Sequence, residues 1–393
     1  MRVLHQERTM NYTAADLNQE ISHYLYFNTG LLSFYLFLGL TGNISVLYIY
    51  TCKMKKTEER YFIPILAVAD ILACLAGIIL GIVSNFYRAN YVLDTFCKVG
   101  YFFTWATTSA SGFMILLIAL NRHLIICRPT SPQLTSDRKK RALIVMISIA
   151  VLISGPMLYF LGSRDVPFTY KGQAINATLC TFRFASGIMN QLQNTYFALQ
   201  IFLAILNMVV TCGLYIPVGL TIYRRFKLIQ QNMRFSAAAS SESGRVPKPQ
   251  VCDAVPRNEL SVISYNSAAM SENAACSQID AEKQSPVSKL KLSSLNRRKI
   301  YKRKRARYNF TLMFATIILV YVLAYLPTLI LFMLPGSDPA NFWFNRSGAE
   351  LIVLVFLQRA FVLNNIVNPF IYTYFDLSFR NELLQLLCCF RNN

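Results

Sequence analysis

The sequence predicts an all-α membrane protein, a seven-transmembrane helix bundle with its N-terminus outside the cell. Three observations carry that reading. The 393-residue chain is 54% hydrophobic and only 15% charged, against about 45–50% and about 25% in soluble domains. Seven stretches, 31–50, 61–87, 99–120, 142–163, 184–223, 308–337 and 351–374, carry no charge or a single one. The 39 Lys and Arg against 19 Asp and Glu leave a net charge of +20, and these cations lie mostly in alternate connecting segments.

Crossing a hydrocarbon core of about 30 Å takes about 20 helical residues, and each stretch is long enough. Backbone groups in lipid must be bonded within their own segment, so the spans are helices and not strands. The first stretch lacks a cleavage-site pattern and is read as a span rather than a signal peptide. After it come Lys53, Lys55, Lys56 and Arg60. The next segment on that side carries Arg128, Arg138, Lys139, Lys140 and Arg141, and the third a dense run over 297–307. The loops on the opposite side have only Arg88, Lys98, Arg164, Lys171, Arg183 and Arg346. Cations favour the cytoplasmic side, which puts the N-terminus out and the C-terminus in.

The sequons at Asn11, Asn176 and Asn345 then fall outside, as glycosylation requires. Those at Asn43 and Asn309 fall within or below the membrane and are read as chance matches. In the fifth stretch the polar Asn190, Gln191, Gln193 and Asn194 suggest a loop or helix mouth. The organisation is an extracellular tail over 1–29, spans one to five over 30–226, a long basic cytoplasmic loop over 227–306, spans six and seven over 307–374, and a cytoplasmic tail over 375–393. The loop's middle is rich in Ser, Ala and Asn (Ser236, Ser240, Ser241, Ser243, Ser261 and Ser264). It has too little apolar surface to offset ordering entropy and is expected to be disordered. The 297–307 run reads as a nuclear-localisation look-alike, a stop signal extending span six, or a phospholipid contact. The last two fit a segment that abuts a span.

Polar groups inside spans are costly and are functional candidates by default. Asp70 lies midway through the second stretch. Its candidate partners are Asn43, Ser111, Asn364 and Asn368: together they can hold Na⁺ and water, or form a neutral hydrogen-bonded cluster. Arg122, at the cytoplasmic end of the third stretch, can snorkel to the interface.

The order of motifs resembles the rhodopsin-like, class A, G-protein-coupled receptors. Gly42-Asn43 stands in span one, Leu66-Ala67-Val68-Ala69-Asp70 in span two and Cys97 at the mouth of span three. Asn121-Arg122-His123 lies at the base of that span, Pro327 in span six, and Asn368-Pro369-Phe370-Ile371-Tyr372 closes span seven. Cys97 precedes Arg122 by 25 residues and Ser111 precedes it by 11. The resemblance implies a disulfide between Cys97 and Cys180; both fall on the oxidising side. The amphipathic run from Phe379 looks like the family's short cytoplasmic eighth helix, with Cys388 and Cys389 palmitoylated. Cys52, Cys74, Cys127 and Cys212 are read as packing residues.

Departures from the family pattern are equally informative. Asn121 stands where the family has an Asp that restrains the neighbouring arginine, so raised basal activity, or a lock made by other contacts, is expected. Span four has no Trp. Tyr325 replaces the family's Trp two residues before Pro327, and Tyr321 is the aromatic one turn earlier. Pro217 lies too near the cytoplasmic end to match the usual span-five proline, which leaves Tyr215 as the span-five tyrosine.

By the same resemblance the ligand pocket is lined by Thr104, Trp105, Thr108, Thr328, Phe332 and Gln358. Thr104 replaces the aspartate of amine receptors, and Val362 the lysine of photopigments. The alternation around Lys171-Gly172 predicts a β-hairpin lid, which in this family favours a peptide ligand; a lipid or other small molecule is the rival. The implied partners are a heterotrimeric G protein, bound after outward movement of span six exposes Arg122, with arrestin, receptor kinases and membrane lipids, and no nucleic acid. The implied location is the plasma membrane. Apart from the Na⁺ at Asp70, no cofactor is expected. A transporter or channel would need several membrane charges along a path, and only Asp70 and Arg359 are internal. No metal spacing, phosphate loop or nucleophile motif points to an enzyme. A non-signalling decoy receptor is the other alternative, given Asn121.

Overall fold

The computed structural model describes residues 11–184, 186–242, 286–334 and 338–391. The chain divides into two units, Met1–Ile222 with Arg307–Asn393, and Tyr223–Ala306. The spans and sites described below belong to the first.

The extracellular segment expected as a tail contains a helix, α1 (Ala14–Tyr24). Its start is a reciprocal cap: Asp16 N–H donates to Thr13 Oγ1 at 3.3 Å, and Thr13 N–H to the Asp16 carboxylate at 2.8 Å, the pattern of a capping box. The bundle follows as α2 (Tyr26–Tyr48), extended by a wide turn over Ile49–Lys53, α3 (Ile63–Phe86), α4 (Asp94–Cys127), α5 (Ser136–Ser154) and the short α6 (Met157–Phe160). A two-stranded sheet, β1 (Leu161–Tyr170) and β2 (Gln173–Phe182), precedes α7 (Gly187–Glu242) and α8 (Pro286–Met333). The chain ends in α9 (Pro339–Phe344), α10 (Gly348–Gln358), α11 (Val362–Phe375) and α12 (Leu377–Arg391).

Among the described residues six helices are long and apolar enough to cross a membrane; α10 and α11, bent by 62°, form a seventh span if counted together. The expected fourth span, drawn to residue 163, stops at Phe160 because the chain enters β1. Span six ends at Met333, short of 337. On the cytoplasmic side the helices of spans five and six continue past the drawn loop boundaries, to Glu242 and from Pro286. The Ser-rich stretch 243–285, expected to be disordered, lies outside the described residues, as do the side chains of the 297–307 run. In the fifth span Gly187 already starts the helix, so Asn190, Gln191, Gln193 and Asn194 sit on its outermost turns.

The bend in span seven has no Pro or Gly to cause it. At Arg359–Phe361 the backbone tightens to three-residue spacing, Val362 N–H to Arg359 O at 3.1 Å and Leu363 N–H to Ala360 O at 2.9 Å. Phe361 N–H donates instead to Thr328 Oγ1 on α8 at 3.3 Å. Lower in the same span Pro369 cannot donate to the Asn365 carbonyl, and Asn43 Nδ2 from α2 fills that vacancy at 2.9 Å. Close approach of α2 permits this: a Cβ on Gly42 would meet Pro369 Cγ at 2.9 Å.

Outside, β1 and β2 pair antiparallel from Leu161 with Phe182 to Tyr170 with Gln173. Lys171 (φ 49°) and Gly172 (φ 81°) form the turn, a two-residue hairpin whose positive φ values match the strand twist. Cys97 at the top of α4 is disulfide-bonded to Cys180 on β2, with Cα atoms 5.7 Å apart. The loop after α3 is pinned to the same strand: Thr178 N–H donates to Ala89 O at 2.9 Å and Tyr91 N–H to Thr178 O at 2.8 Å. The helix α1 lies over this end, its Leu17 and Ile21 packed with Tyr170, Ile175 and Trp343. Asn18 Nδ2 and Ser22 Oγ donate to the last carbonyls of α3, at Phe86 and Asn85, groups every helix C-terminus leaves unpaired.

Glu20 on α1 accepts from Tyr170 Oη and pairs with Lys171 Nζ at 3.1 Å. These two donors hold its carboxyl below the usual glutamate range, the tyrosine contributing most. A lowered carboxyl gives stability that is complete above its ordinary value of 4.5 and lost as pH falls below it. The pair is exposed to water, so the effect is small. Amide exchange of α1 is therefore expected to speed up modestly between pH 6 and pH 3 relative to the intrinsic rate. Glu20→Gln should flatten that dependence, and an unchanged profile in the variant would refute the assignment.

Candidate functional site

Beneath the hairpin the outer halves of the helices enclose two adjoining cavities. The inner one, of about 160 Å³, is lined by α3, α4, α7, α8 and the bend of span seven. The outer one, of about 560 Å³, lies against β1, β2 and the outer end of α7. They share Ser84, Arg88, Tyr101, Phe332 and Gln358 on their walls. All six residues assigned to a pocket, Thr104, Trp105, Thr108, Thr328, Phe332 and Gln358, line the inner cavity.

The walls are built from aromatic contacts that join elements. Trp105 on α4 meets Phe332 on α8 edge-on at 5.2 Å between ring centroids. Phe332 also meets Phe197 on α7 at 5.9 Å and Phe182 on β2 at 6.1 Å. The hairpin therefore touches α8 directly through Phe182. Tyr325 and Tyr321 stand one turn apart on α8 with ring centroids 4.8 Å apart, and Tyr325 faces Phe361 at the bend. Tyr321 Oη accepts from Asn207 Nδ2 on α7 at 2.9 Å, and the same amide donates to Gly112 O at 3.2 Å. Thr328 Oγ1 ties α8 to the bend, donating to Leu357 O at 3.4 Å. Pro327 lies inside α8 beside these groups.

Below the cavity floor Asp70 is fully buried. Asn368 Nδ2 donates to its Oδ2 at 2.7 Å. The other expected partners do not bond to it. Asn43 is drawn to the carbonyl that Pro369 leaves open, and Asn364 donates to Asn365 Oδ1 at 3.3 Å. Among the described residues Asp70 Oδ1, Ser111 Oγ, Asn364 Oδ1 and Asn43 Oδ1 are buried without a hydrogen-bond partner.

At the cytoplasmic end Arg122 is 2% exposed, and its guanidinium lies over the Phe314 ring of α8 at 4.6 Å. Asn121 is buried beside it. His123 Nδ1 is 3.1 Å from Leu214 O on α7, and Tyr215 Oη donates to Thr311 O on α8. Pro217 sits inside α7 one turn from Thr221. Tyr372 at the end of span seven packs edge-on against Tyr50 (6.0 Å) and Phe379 (6.3 Å). The run from Phe379 is helical within α12, where Cys388 is exposed; the Cys389 side chain lies outside the described ones. Asn11, Asn176 and Asn345 are all exposed. Cys74 is buried and Cys127 and Cys212 are half-buried, as packing residues would be, but Cys52 is exposed.

Three features escaped the sequence reading. Arg88, on the loop after α3, lines both cavities. Arg359, an internal charge by its position in the seventh stretch, is part of the inner cavity wall. Asp376 gathers Tyr50, Arg60 and the start of α12. Nothing in local spacing marks any of them, because each is brought to its place by a distant element.

Comparison with known proteins places this geometry. The family described as "7 transmembrane receptor (rhodopsin family)" matches residues 42–372. The chain is 23% identical to the cholecystokinin receptor type A of Canis lupus familiaris, over 91% of this chain and 80% of that receptor. It is 24% identical to the isotocin receptor of Catostomus commersonii, over 91% and 77%. A shorter match, 31% identical, links it to the tachykinin-like peptides receptor 99D of Drosophila melanogaster, over 46% and 35%.

Proposed function

The chain belongs to the rhodopsin family of seven-transmembrane receptors, a multi-pass protein of the plasma membrane, and from that premise we propose that it binds an extracellular peptide and activates a heterotrimeric G protein. The relatives named above are receptors for cholecystokinin, isotocin and tachykinin-like peptides. Cavity shape supports the same class of ligand. The inner chamber, about 160 Å³, is smaller than the roughly 300–1,000 Å³ of small-molecule sites, whereas the outer one adds about 560 Å³ under the hairpin. A ligand that inserts one end and lies under the lid fits that pair.

The observation that carries the signalling half is the burial of Arg122. A residue 2% exposed beneath Phe314 cannot meet a cytoplasmic partner until α8 moves away. The upper part of α8 carries Phe332, Thr328 and Tyr325 on the cavity wall, and its lower part carries Phe314 and Thr311 against Arg122 and Tyr215. Ligand contact that favours another arrangement of Phe332 and Tyr325 biases one rigid helix, and that helix uncovers the arginine. Ligand and G protein then stabilise the same state and raise each other's affinity. Arrestin and receptor kinases would use the same opened face.

The test is a peptide-library screen on cells expressing the full chain with promiscuous G-protein reporters. A peptide response that Arg122→Ala abolishes at equal surface expression is expected. A ligand-independent current through the expressed protein would favour a channel, and peptide binding without any G-protein response would favour a decoy.

The buried oxygens around Asp70 suit a hard cation, which takes oxygen donors. Asp70, Ser111, Asn43 and Asn364 would hold Na⁺, whose charge would balance the carboxylate. Replacing KCl by NaCl is expected to raise the Tm of the purified receptor, and Asp70→Asn should remove that difference. Equal Tm values for the wild type in the two salts would refute the site.

A further inference from the structure

The two cavities carry an unbalanced positive charge. Arg88 and Arg359 line the inner cavity, Arg88 and Arg164 the outer one, and among the described residues neither wall contains an Asp or Glu. Among the described residues neither Arg88 nor Arg359 forms an ion pair. Two guanidiniums in one partly dry chamber repel each other and have lost part of their hydration. Burial of that kind is unfavourable unless an opposite charge joins them.

Both side chains are held in place by neutral groups. Arg359 Nη1 donates to Asn85 Oδ1 at 2.6 Å, and Asn85 is itself fixed by its amide donating to Thr29 Oγ1 at 2.9 Å. Gly81, one turn before Asn85, leaves room for the arginine stem: a Cβ there would meet Arg359 Nε at 3.3 Å. The Arg88 guanidinium lies over the Trp343 ring at 4.4 Å, and its Nε is buried with no hydrogen-bond partner among the described residues. Burial pulls Arg88 down from the ordinary arginine value to about 10, so it is still a cation at neutral pH. Oriented, charged and lacking an acidic neighbour, the pair has the features of an anion site awaiting its counter-charge.

We propose that the ligand inserts an oxyanion, a carboxylate or a sulfate, between Arg88 and Arg359 at the junction of the two cavities. This rests on the reading of the cavities as the ligand site and names the chemistry of the inserted group. Guanidinium forks match planar or tetrahedral oxyanions through paired N–H donors. A peptide would supply the group from an Asp, Glu, free C-terminus or sulfated side chain.

The first test uses the purified full-length receptor in uncharged detergent. Thermal unfolding is followed in sodium glutarate, sodium sulfate and sodium chloride at matched ionic strength. Wild type is compared with Arg88→Gln, Arg359→Gln, Arg359→Lys and the exposed control Arg346→Gln. Sulfate stabilises proteins generally by exclusion from their surface, so the shift that counts is the one lost in a variant. The expected result is an oxyanion-dependent rise in Tm that Arg88→Gln and Arg359→Gln abolish and Arg346→Gln retains, with Arg359→Lys keeping part of it. In chloride the Tm of Arg359→Gln should equal or exceed that of wild type, because one of two like charges is gone. The larger of the glutarate and sulfate shifts identifies the preferred group. A rise of equal size in all variants overturns the proposal. So does a lower Tm of Arg359→Gln in chloride combined with an intact oxyanion shift, which would make Arg359 a strut to Asn85.

The second test uses cells and two matched synthetic peptide pools. One pool has Asp, Glu and free C-termini; the other has Asn, Gln and C-terminal amides. Activation by the acidic pool whose potency falls about 30-fold or more in Arg359→Gln is expected, as for truncating one partner of a buried charge pair. Activation by the neutral pool that Arg359→Gln leaves unchanged overturns the proposal. Silence of both pools beside a variant-sensitive oxyanion shift supports the anion site and counts against the peptide reading alone. Silence of both pools with no such shift overturns the anion site.

Discussion

Replacing Asp376 by alanine is expected to destabilise the receptor by about 3 kcal/mol, the lower end of the cost of breaking a buried ion pair. Asp376 sits where α11 gives way to α12 and is 5% exposed. Its carboxylate accepts from Tyr50 Oη at 2.9 Å, from Arg60 Nε and Nη2 at 3.2 Å each, and from Ser378 N–H at 3.0 Å. One carboxylate therefore joins the end of span one, the first cytoplasmic loop and the N-terminal turn of α12. Alanine leaves the Arg60 guanidinium and the Tyr50 hydroxyl facing each other with no acceptor. Arg60 retains some water access and stacks on Tyr50 and Phe310, which is why the lower end of the range applies. Thermal unfolding of purified wild type, Asp376→Ala and Asp376→Asn gives the stability, and amide exchange over 377–391 shows whether α12 detaches. Asparagine, which keeps one acceptor oxygen, should fall between the two. An Asp376→Ala protein within about 0.5 kcal/mol of wild type, the range of ordinary surface changes, would show that the cluster is incidental.

Phe314→Ala is expected to raise ligand-independent signalling by about 2- to 30-fold, the factor that corresponds to a cation–π contact of about 0.5–2 kcal/mol. The position before Arg122 is Asn121, so the carboxylate expected to restrain this arginine is missing, and the Phe314 face of α8 is one contact that covers the guanidinium. Alanine removes the aromatic face without adding a charge or a bulky group. Asn121→Asp should act in the opposite direction, because a carboxylate beside the buried guanidinium strengthens the arrangement in which Arg122 is covered. Second-messenger output of the ligand-free receptors, normalised to surface expression, decides both. Equal basal output in wild type and Asn121→Asp would remove the argument from the missing aspartate. A Phe314→Ala receptor no more active than wild type would place the restraint in other contacts, with Tyr215 and Thr311 next to be tested.

The spans are legible because lipid imposes a rule that depends on local composition alone: about 20 residues without charge, bonded within the segment. The hairpin is legible for a similar reason, since Lys171 and Gly172 carry the turn in two adjacent residues. A capping pattern at Thr13-Ala14-Ala15-Asp16 is equally local and marks the start of α1. Pocket residues and switch residues rest on a different kind of signal. Thr104, Phe332 and Gln358 have no local feature that sets them apart, and only their offsets from family motifs indicate them.

What the sequence by itself determined is the number and direction of the spans, the outer hairpin, and the identity of the polar groups that a membrane interior would not hold without purpose. Each follows from properties of neighbouring residues. The tertiary structure decided who meets whom. Asn43 bonds the Asn365 carbonyl rather than Asp70 because Pro369, on span seven while Asn43 is on span one, leaves that carbonyl open. The seventh span bends where Thr328 offers its hydroxyl to Phe361, with no breaker residue at the bend. Arg88 becomes a cavity wall because Thr178 of β2 pins its loop at Ala89 and Tyr91, on both sides of Asn90. Partners of this kind lie far apart in the chain, and an unpaired carbonyl, hydroxyl or guanidinium takes the nearest suitable group that folding brings to it, which spacing along the sequence does not encode.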